Sequence, residues 1–169
     1  MKNIVLIGMM GCGKSTVGAL LAERLGRELM DTDTLIEERE SRSISDLFAA
    51  DGEEHFRALE QALCRELAGR ENLVIACGGG LPLREEAIAP LKGSGVVFWL
   101  RRDPGETYDG LDISGRPLAQ EGKEAFVERF AAREPVYRRW ADYIISNPPS
   151  PERAALAIGA ILQSEEAEP

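Results

Sequence analysis

Histidine is almost missing from this chain: His55 is the single one in 169 residues. A Ser-His-Asp triad would have to use it, and it stands in the acidic helical stretch GEEHFRALE, where a solvated surface role is expected. Cysteine is scarce as well. Cys12, Cys64 and Cys77 are an odd number without CxxC spacing or an accompanying histidine cluster, which disfavours a disulfide framework or a zinc site. Reduced thiols fit the cytosol, so a cytoplasmic protein is expected. No apolar run approaches the ~20 residues of a membrane span, and MKNIVLIG reaches a glycine-rich turn too soon for a signal peptide. Positive charge is also short, with 20 Lys and Arg against 29 Asp and Glu for a net charge of −9. That balance argues against a nucleic-acid partner, although a local arginine cluster still creates a positive pocket for a small anion. Much of the acid is expected at the surface and in the tail SEEAEP, about 164–169, read as frayed and solvated. There is no internal repeat or low-complexity tract.

What is present reads as one α/β domain over 1–169. Five short apolar runs, NIVLIG, ELMD, LVIACG, VVFWL and DYIIS, are mostly continuous rather than alternating. Such runs suit strands buried on both faces of a parallel sheet. Helical patterns separate them: Val17, Leu20, Leu21 and Leu25 share a face before Gly26 as a stop, and Phe56, Leu59, Leu63 and Leu67 share another. Strand alternating with helix predicts an open sheet with helices on both faces. Two segments interrupt it. Arg101 to Lys123 carries Gly, Pro and Asp with little periodicity, and part of it is expected to be a mobile lid, about 101–123. Pro135 falls inside a helical pattern and is expected to break it, leaving Arg133 at a helix end.

GMMGCGKST satisfies G-x-x-x-x-G-K-[ST] through Gly8, Gly13, Lys14 and Ser15, with a strand before it and a helix after. Glycines let backbone N–H groups turn around phosphate oxygens, and the helix N-terminus adds its positive end. Gly11, Cys12, Gly13, Lys14, Ser15 and Thr16 are the expected nucleotide-binding residues, with Lys14 at the β/γ-phosphates and Ser15 on Mg²⁺. A guanine-reading N-K-x-D is absent, which disfavours a GTPase switch.

On the acceptor side, Asp31 and Asp33 are two apart, so at an extended strand end they point the same way. Thr34 and Glu37 make a capping box on paper, which would free both aspartates for a Mg²⁺ water and a hydroxyl proton. Arg57 and Glu60 are three apart on a helix and near enough to pair. CGGGLP ends the third strand, where bare backbone admits a ligand. Arg116 in GRPL is either a surface arginine or a lid residue that swings onto the transferring phosphoryl group.

These motifs in order, the P-loop, DTD, GEEHFRALE, GGG, GRPL and REPVY, resemble shikimate kinase over nearly the whole chain. The resemblance implies ATP-dependent phosphorylation of the shikimate 3-hydroxyl, on the route to chorismate and the aromatic amino acids. It implies a five-stranded parallel sheet with a lid, like that of nucleoside monophosphate kinases. By matching position, Asp33, Arg57, Gly79 and Arg133 would hold shikimate, with the two arginines on its carboxylate and Glu60 orienting Arg57. Lys14, Ser15 and Asp31 would serve the phosphates and Mg²⁺, Asp31 through water, and Arg116 would be the lid arginine. Lys14, Asp33 and Arg116 are thus the expected catalytic residues. The expected partners are ATP and shikimate alone, with no nucleic acid, no membrane and a monomeric chain. The lid departs from the family: YDGLDISGRPL stands where a basic RTGG-like stretch is common, with Asp109 about where an arginine often meets the adenine. An adenine contact is expected near Asn147 and Pro148. The competing readings are a kinase of the same fold for gluconate or a nucleoside monophosphate, and a non-catalytic nucleotide-binding regulatory module.

Overall fold

A computed structural model describes residues 1–114 and 117–167. The five apolar runs all form strands: β1 (Asn3–Ile7), β2 (Glu28–Asp31), β3 (Leu73–Ala76), β4 (Gly95–Arg101) and β5 (Tyr143–Ser146). They pair in parallel in the order β2-β3-β1-β4-β5, with Val5 of the central strand opposite Ile75 on one side and Val97 on the other.

Alternate side chains of the strands enter two separate cores, which is why the runs are continuous in sequence. Ile4, Leu6, Val74, Phe98 and Leu100 meet Val17 and Leu21 of α1 (Lys14–Leu25) and Ala155 and Ile158 of α7 (Pro151–Ala167). Val5, Ile7, Ile75, Val97 and Trp99 face the other way. There they meet α2 (Thr32–Glu40), α3 (Ile44–Ala68), α4 (Glu85–Ser94) and α6 (Lys123–Trp140) through Ile36, Leu67, Ile88 and Phe126. Each fully buried leucine among these contributes about 1.5–3 kcal/mol. Gly26 ends α1 in the left-handed conformation (φ 62°) as expected, but Leu25 turns outward and is 39% exposed. α3 bends at Gly52, whose φ of 82° a side-chain-bearing residue rarely adopts.

Three sequence expectations need correction. Pro135 does not break α6, and Arg133 lies within the helix rather than at its end. Pro135 and Ala131 are both exposed, so the carbonyl that the proline leaves without an amide donor turns to water. The lid segment is more regular than its composition suggested. It contains α5 (Pro104–Asp109), whose start is capped by the Asp103 carboxylate on Glu106 N–H, and a 3₁₀ turn over Pro117–Glu121. The tail too is helical through Ala167. Among the described residues, no helix is long and apolar enough to cross a membrane.

Asn3 is a polar residue with 0% exposure at the start of the central strand. Its amide donates to the Arg70 carbonyl (2.8 Å) and its oxygen accepts from Leu73 N–H (2.9 Å), which fixes the entry to β3. Asn3→Ala leaves both backbone groups without a partner, and the expected loss is about 2–4 kcal/mol in a urea melt. A loss below about 0.5 kcal/mol would show that the entry to β3 is set by packing alone.

Candidate active site

The central strand ends in the glycine loop. Gly8 cannot carry a side chain, because a Cβ there would lie 2.7 Å from the Leu100 carbonyl and 2.8 Å from Cys12 Sγ. Gly13 caps α1 at φ 96°, so the first amides of the helix open onto the loop. Lys14 arches back over it, with Nζ donating to the carbonyls of Gly8 (2.7 Å) and Met9 (2.9 Å). Ser15 Oγ donates to Asp31 Oδ2 at 2.5 Å, which brings the ends of β1 and β2 together.

Asp31 and Asp33 reach this region by a route other than the one expected. The chain enters α2 at Thr32, so Asp33 is a first-turn helical residue and the pair does not share a strand face. Asp31 is itself the cap. Its Oδ1 accepts from the amides of Asp33 and Thr34, both at 3.1 Å, while Oδ2 remains on Ser15. The Thr34–Glu37 capping box does not form: Thr34 lies inside the helix and Glu37 accepts from Ile44 N–H instead (3.2 Å). Capping and facing the P-loop are thus two uses of one carboxylate.

The glycines after β3 gather the other groups. A Cβ on Gly78 would stand 2.5 Å from Asp33 Oδ1, and one on Gly80 2.7 Å from Arg57 Nη2. A Cβ on Gly79 would lie 3.4 Å from Met10 N and 3.6 Å from Arg133 Nη1. Asp33, Arg57 and Arg133 therefore border one strip of bare backbone, joined to the P-loop through Met10. Arg57 Nη1 donates to Glu60 (2.8 Å), a carboxylate 1% exposed, and its Nε is buried with no hydrogen-bond partner. Burial, reinforced by Asp31, pushes Asp33 up to about 6. Burial pushes Glu60 to about 7 although Arg57 opposes the shift.

The residues left outside this cleft behave as their surroundings dictate. His55 is a half-exposed surface side chain whose Nε2 is 3.9 Å from Asp51. All three cysteines are buried free thiols: Cys12 lies within the phosphate loop, while Cys64 and Cys77 are in the core, where burial raises Cys64 to about 12. Asn147 accepts from Asp103 N–H (2.9 Å), which ties β5 to the start of α5. Asp109 is held by both oxygens to Lys123 Nζ, at 2.8 and 2.9 Å. Arg116 lies outside the described residues. Sequence reasoning missed Tyr137, whose hydroxyl donates to the Gly79 carbonyl (2.7 Å). The signal was the Arg133/Tyr137 spacing of four, legible only if the helix runs through Pro135.

A strand, glycine loop and helix bearing Lys14 and Ser15, beside a crevice with two arginines and a buried carboxylate, define a P-loop phosphotransferase. Its fold is that of nucleoside monophosphate kinases: thymidylate kinase from Candida albicans shares it at TM-score 0.59 and 15% identity, over 98% of this chain and 92% of that one. The family model for shikimate kinase matches residues 10–163, and the chain belongs to that family. It is 40% identical over 148 residues to a shikimate kinase of Clostridium botulinum (strain Eklund 17B / Type B), covering 87% of this chain and 89% of the relative. A shikimate kinase of Symbiobacterium thermophilum is 49% identical over 119 residues, 69% and 68% of the two chains. The solved structure of shikimate kinase from Acinetobacter baumannii in complex with shikimate superposes at TM-score 0.89 with 36% identity, over 98% and 94% of the chains.

The shift of Asp33 has a consequence for stability. Its folded value, raised from 3.8 to about 6, means that the native state keeps this proton to higher pH than the unfolded chain does. Stability from this group is therefore full below the unfolded value of 3.8 and is lost as pH rises through about 6, by about 3 kcal/mol in all, of which about 2 kcal/mol falls between pH 4 and pH 7. Urea melts of wild type and Asp33→Asn at pH 4 and pH 7 test this. The variant should gain about 2 kcal/mol relative to wild type across that interval, and an unchanged difference would contradict the burial of the charge.

Proposed function

We propose that this chain transfers the γ-phosphoryl group of ATP to the 3-hydroxyl of shikimate, giving shikimate 3-phosphate and ADP, and that it does so as a cytoplasmic monomer. The family is a kinase family, and the observation that supports the acceptor is the convergence of Arg57 and Arg133 on the Gly79–Gly80 backbone, with Asp33 against Gly78. A small carboxylic acid bearing a ring hydroxyl answers that set. The arginines take its carboxylate, and a group fixed there holds the ring toward Asp33. Arg57 has already spent Nη1 on Glu60, and its buried Nε, 3.5 Å from the exposed Glu53 carboxylate and without a hydrogen bond, is a donor that an acceptor carboxylate satisfies.

Lys14 moves from the carbonyls of Gly8 and Met9 onto the phosphate oxygens, and the backbone of Gly11 to Thr16 cradles them. Asp33, ionised at neutral pH with a value of about 6, orients the acceptor hydroxyl and receives its proton. Arg116, outside the described residues, is assigned to the charge on the transferring group. Mg²⁺ fits Ser15 Oγ and Asp31 Oδ2, two hard oxygen donors 2.5 Å apart beside the loop, Asp31 acting through water. Among the described residues no group of three or more His, Cys, Asp or Glu is placed to hold a metal, which matches an ion held by one or two protein oxygens and the nucleotide. When bound, Mg²⁺ neutralises β/γ-phosphate charge.

A coupled ADP-release assay with shikimate, gluconate and nucleoside monophosphates tests the acceptor. Shikimate alone is expected to support turnover, and comparable release with gluconate or a nucleotide would replace this reading with one of its rivals. In the same assay Arg57→Lys should raise KM for shikimate about tenfold or more, with kcat within about threefold, because the carboxylate does not change charge during transfer and a point charge cannot make two parallel hydrogen bonds. A normal KM would remove Arg57 from the carboxylate.

A further inference from the structure

One buried hydroxyl that phosphoryl transfer does not use stands where Gly79, Met9 and Arg133 meet. Tyr137 in α6 is 0% exposed, and its hydroxyl donates to the Gly79 carbonyl (2.7 Å) with Met9 Sδ 3.4 Å away. Arg133 is one turn earlier on the same helix face, its Nη1 3.9 Å from the same sulfur and its guanidinium beside the phenol oxygen. The far side of the ring packs on Trp99 of β4, with centroids 5.8 Å apart. Tyr137 thus joins α6 to the segments that follow β1 and β3 and to β4 itself.

The two arginines of the cleft are held by different chemistry. Arg57 is ion-paired with Glu60 at 2.8 Å, whereas Arg133 has no carboxylate within ion-pair distance among the described residues. A phenol beside a guanidinium leaves the positive charge uncompensated while its hydroxyl donates to the Gly79 carbonyl. Burial keeps this phenol protonated, with its pKa pushed up to about 12. Pro135, between the two residues in sequence, is exposed and away from this face.

We propose that Tyr137 is a positioning residue: its hydroxyl ties the Gly79 carbonyl to α6 and so sets the reach of Arg133 toward the acceptor carboxylate, without touching the acceptor. This rests on the assignment of Arg133 to that carboxylate. Tyr137→Phe keeps the ring on Trp99 and removes only the hydroxyl.

The test is a double-mutant cycle read by calorimetric titration with shikimate and by steady-state kinetics. Tyr137→Phe should weaken shikimate about tenfold and raise its KM to match, while kcat and the KM for ATP stay within about twofold. In an Arg133→Lys background the same change should cost less than about twofold, and in an Arg57→Lys background the full factor should persist. Unchanged affinity in Tyr137→Phe, or the full factor surviving in Arg133→Lys, overturns the proposal. Arg133→Lys binding shikimate like wild type, or wild type not binding it, instead overturns the carboxylate assignment and the proposal with it.

Discussion

The cleft depends on three side chains that are not there. Behind β3, Gly78, Gly79 and Gly80 give up the space that Asp33, the P-loop and Arg57 occupy, since a Cβ at the outer two would fall 2.5 and 2.7 Å from those functional groups. Contacts that short have to be relieved by moving a charged group whose position is its function. The bare strip lets a buried carboxylate, two guanidiniums and the mouth of the phosphate loop approach one another, although they come from four helices and three strand ends. The sheet makes this possible, because parallel strands deliver all their carboxyl ends to one edge.

Charge is distributed across that edge by environment. Asp33 and Glu60 are both raised by burial, to about 6 and about 7, and each faces Arg57, which pulls the other way. Removing water makes the carboxylates costly to ionise and at the same time strengthens their hold on the guanidinium. Glu60 orients Arg57 and partly offsets it, while Tyr137 holds its place beside Arg133 with no charge of its own. An acidic protein of net charge −9 can still hold an anionic acceptor, because Arg57 and Arg133 converge on the Gly79–Gly80 backbone away from the surface acids.

Most of the architecture was legible in the sequence for a simple reason. A strand buried on both faces has to be apolar wherever its side chains have no polar partner, and IVLI, LVIA and VVFWL are, with Asn3 at the strand start paired instead. The P-loop was legible because its backbone geometry demands glycine at fixed spacing. The capping of α2 was not. Thr34/Glu37 and Asp31 offered two solutions, and the choice fell to Asp31 because Ser15, distant in sequence, shares its carboxylate. Pro135 misled for the same kind of reason. The cost of a proline in a helix depends on whether the orphaned carbonyl reaches water, and that is fixed by which face of α6 packs. Reading the break where none exists hid the pairing of Arg133 with Tyr137. Local rules held wherever the determinant was local and failed where a tertiary partner decided between two local options.

The central claim is regiochemical: the cleft fixes the acceptor by its carboxylate so that one hydroxyl faces Asp33 and the phosphate loop. Proton-coupled phosphorus NMR of the product made from ATP and shikimate reads this directly. The account predicts a single new phosphomonoester resonance, coupled to the ring proton on the carbon that bears the 3-hydroxyl. Coupling to a proton at another ring carbon, or a mixture of phosphomonoesters, would contradict it.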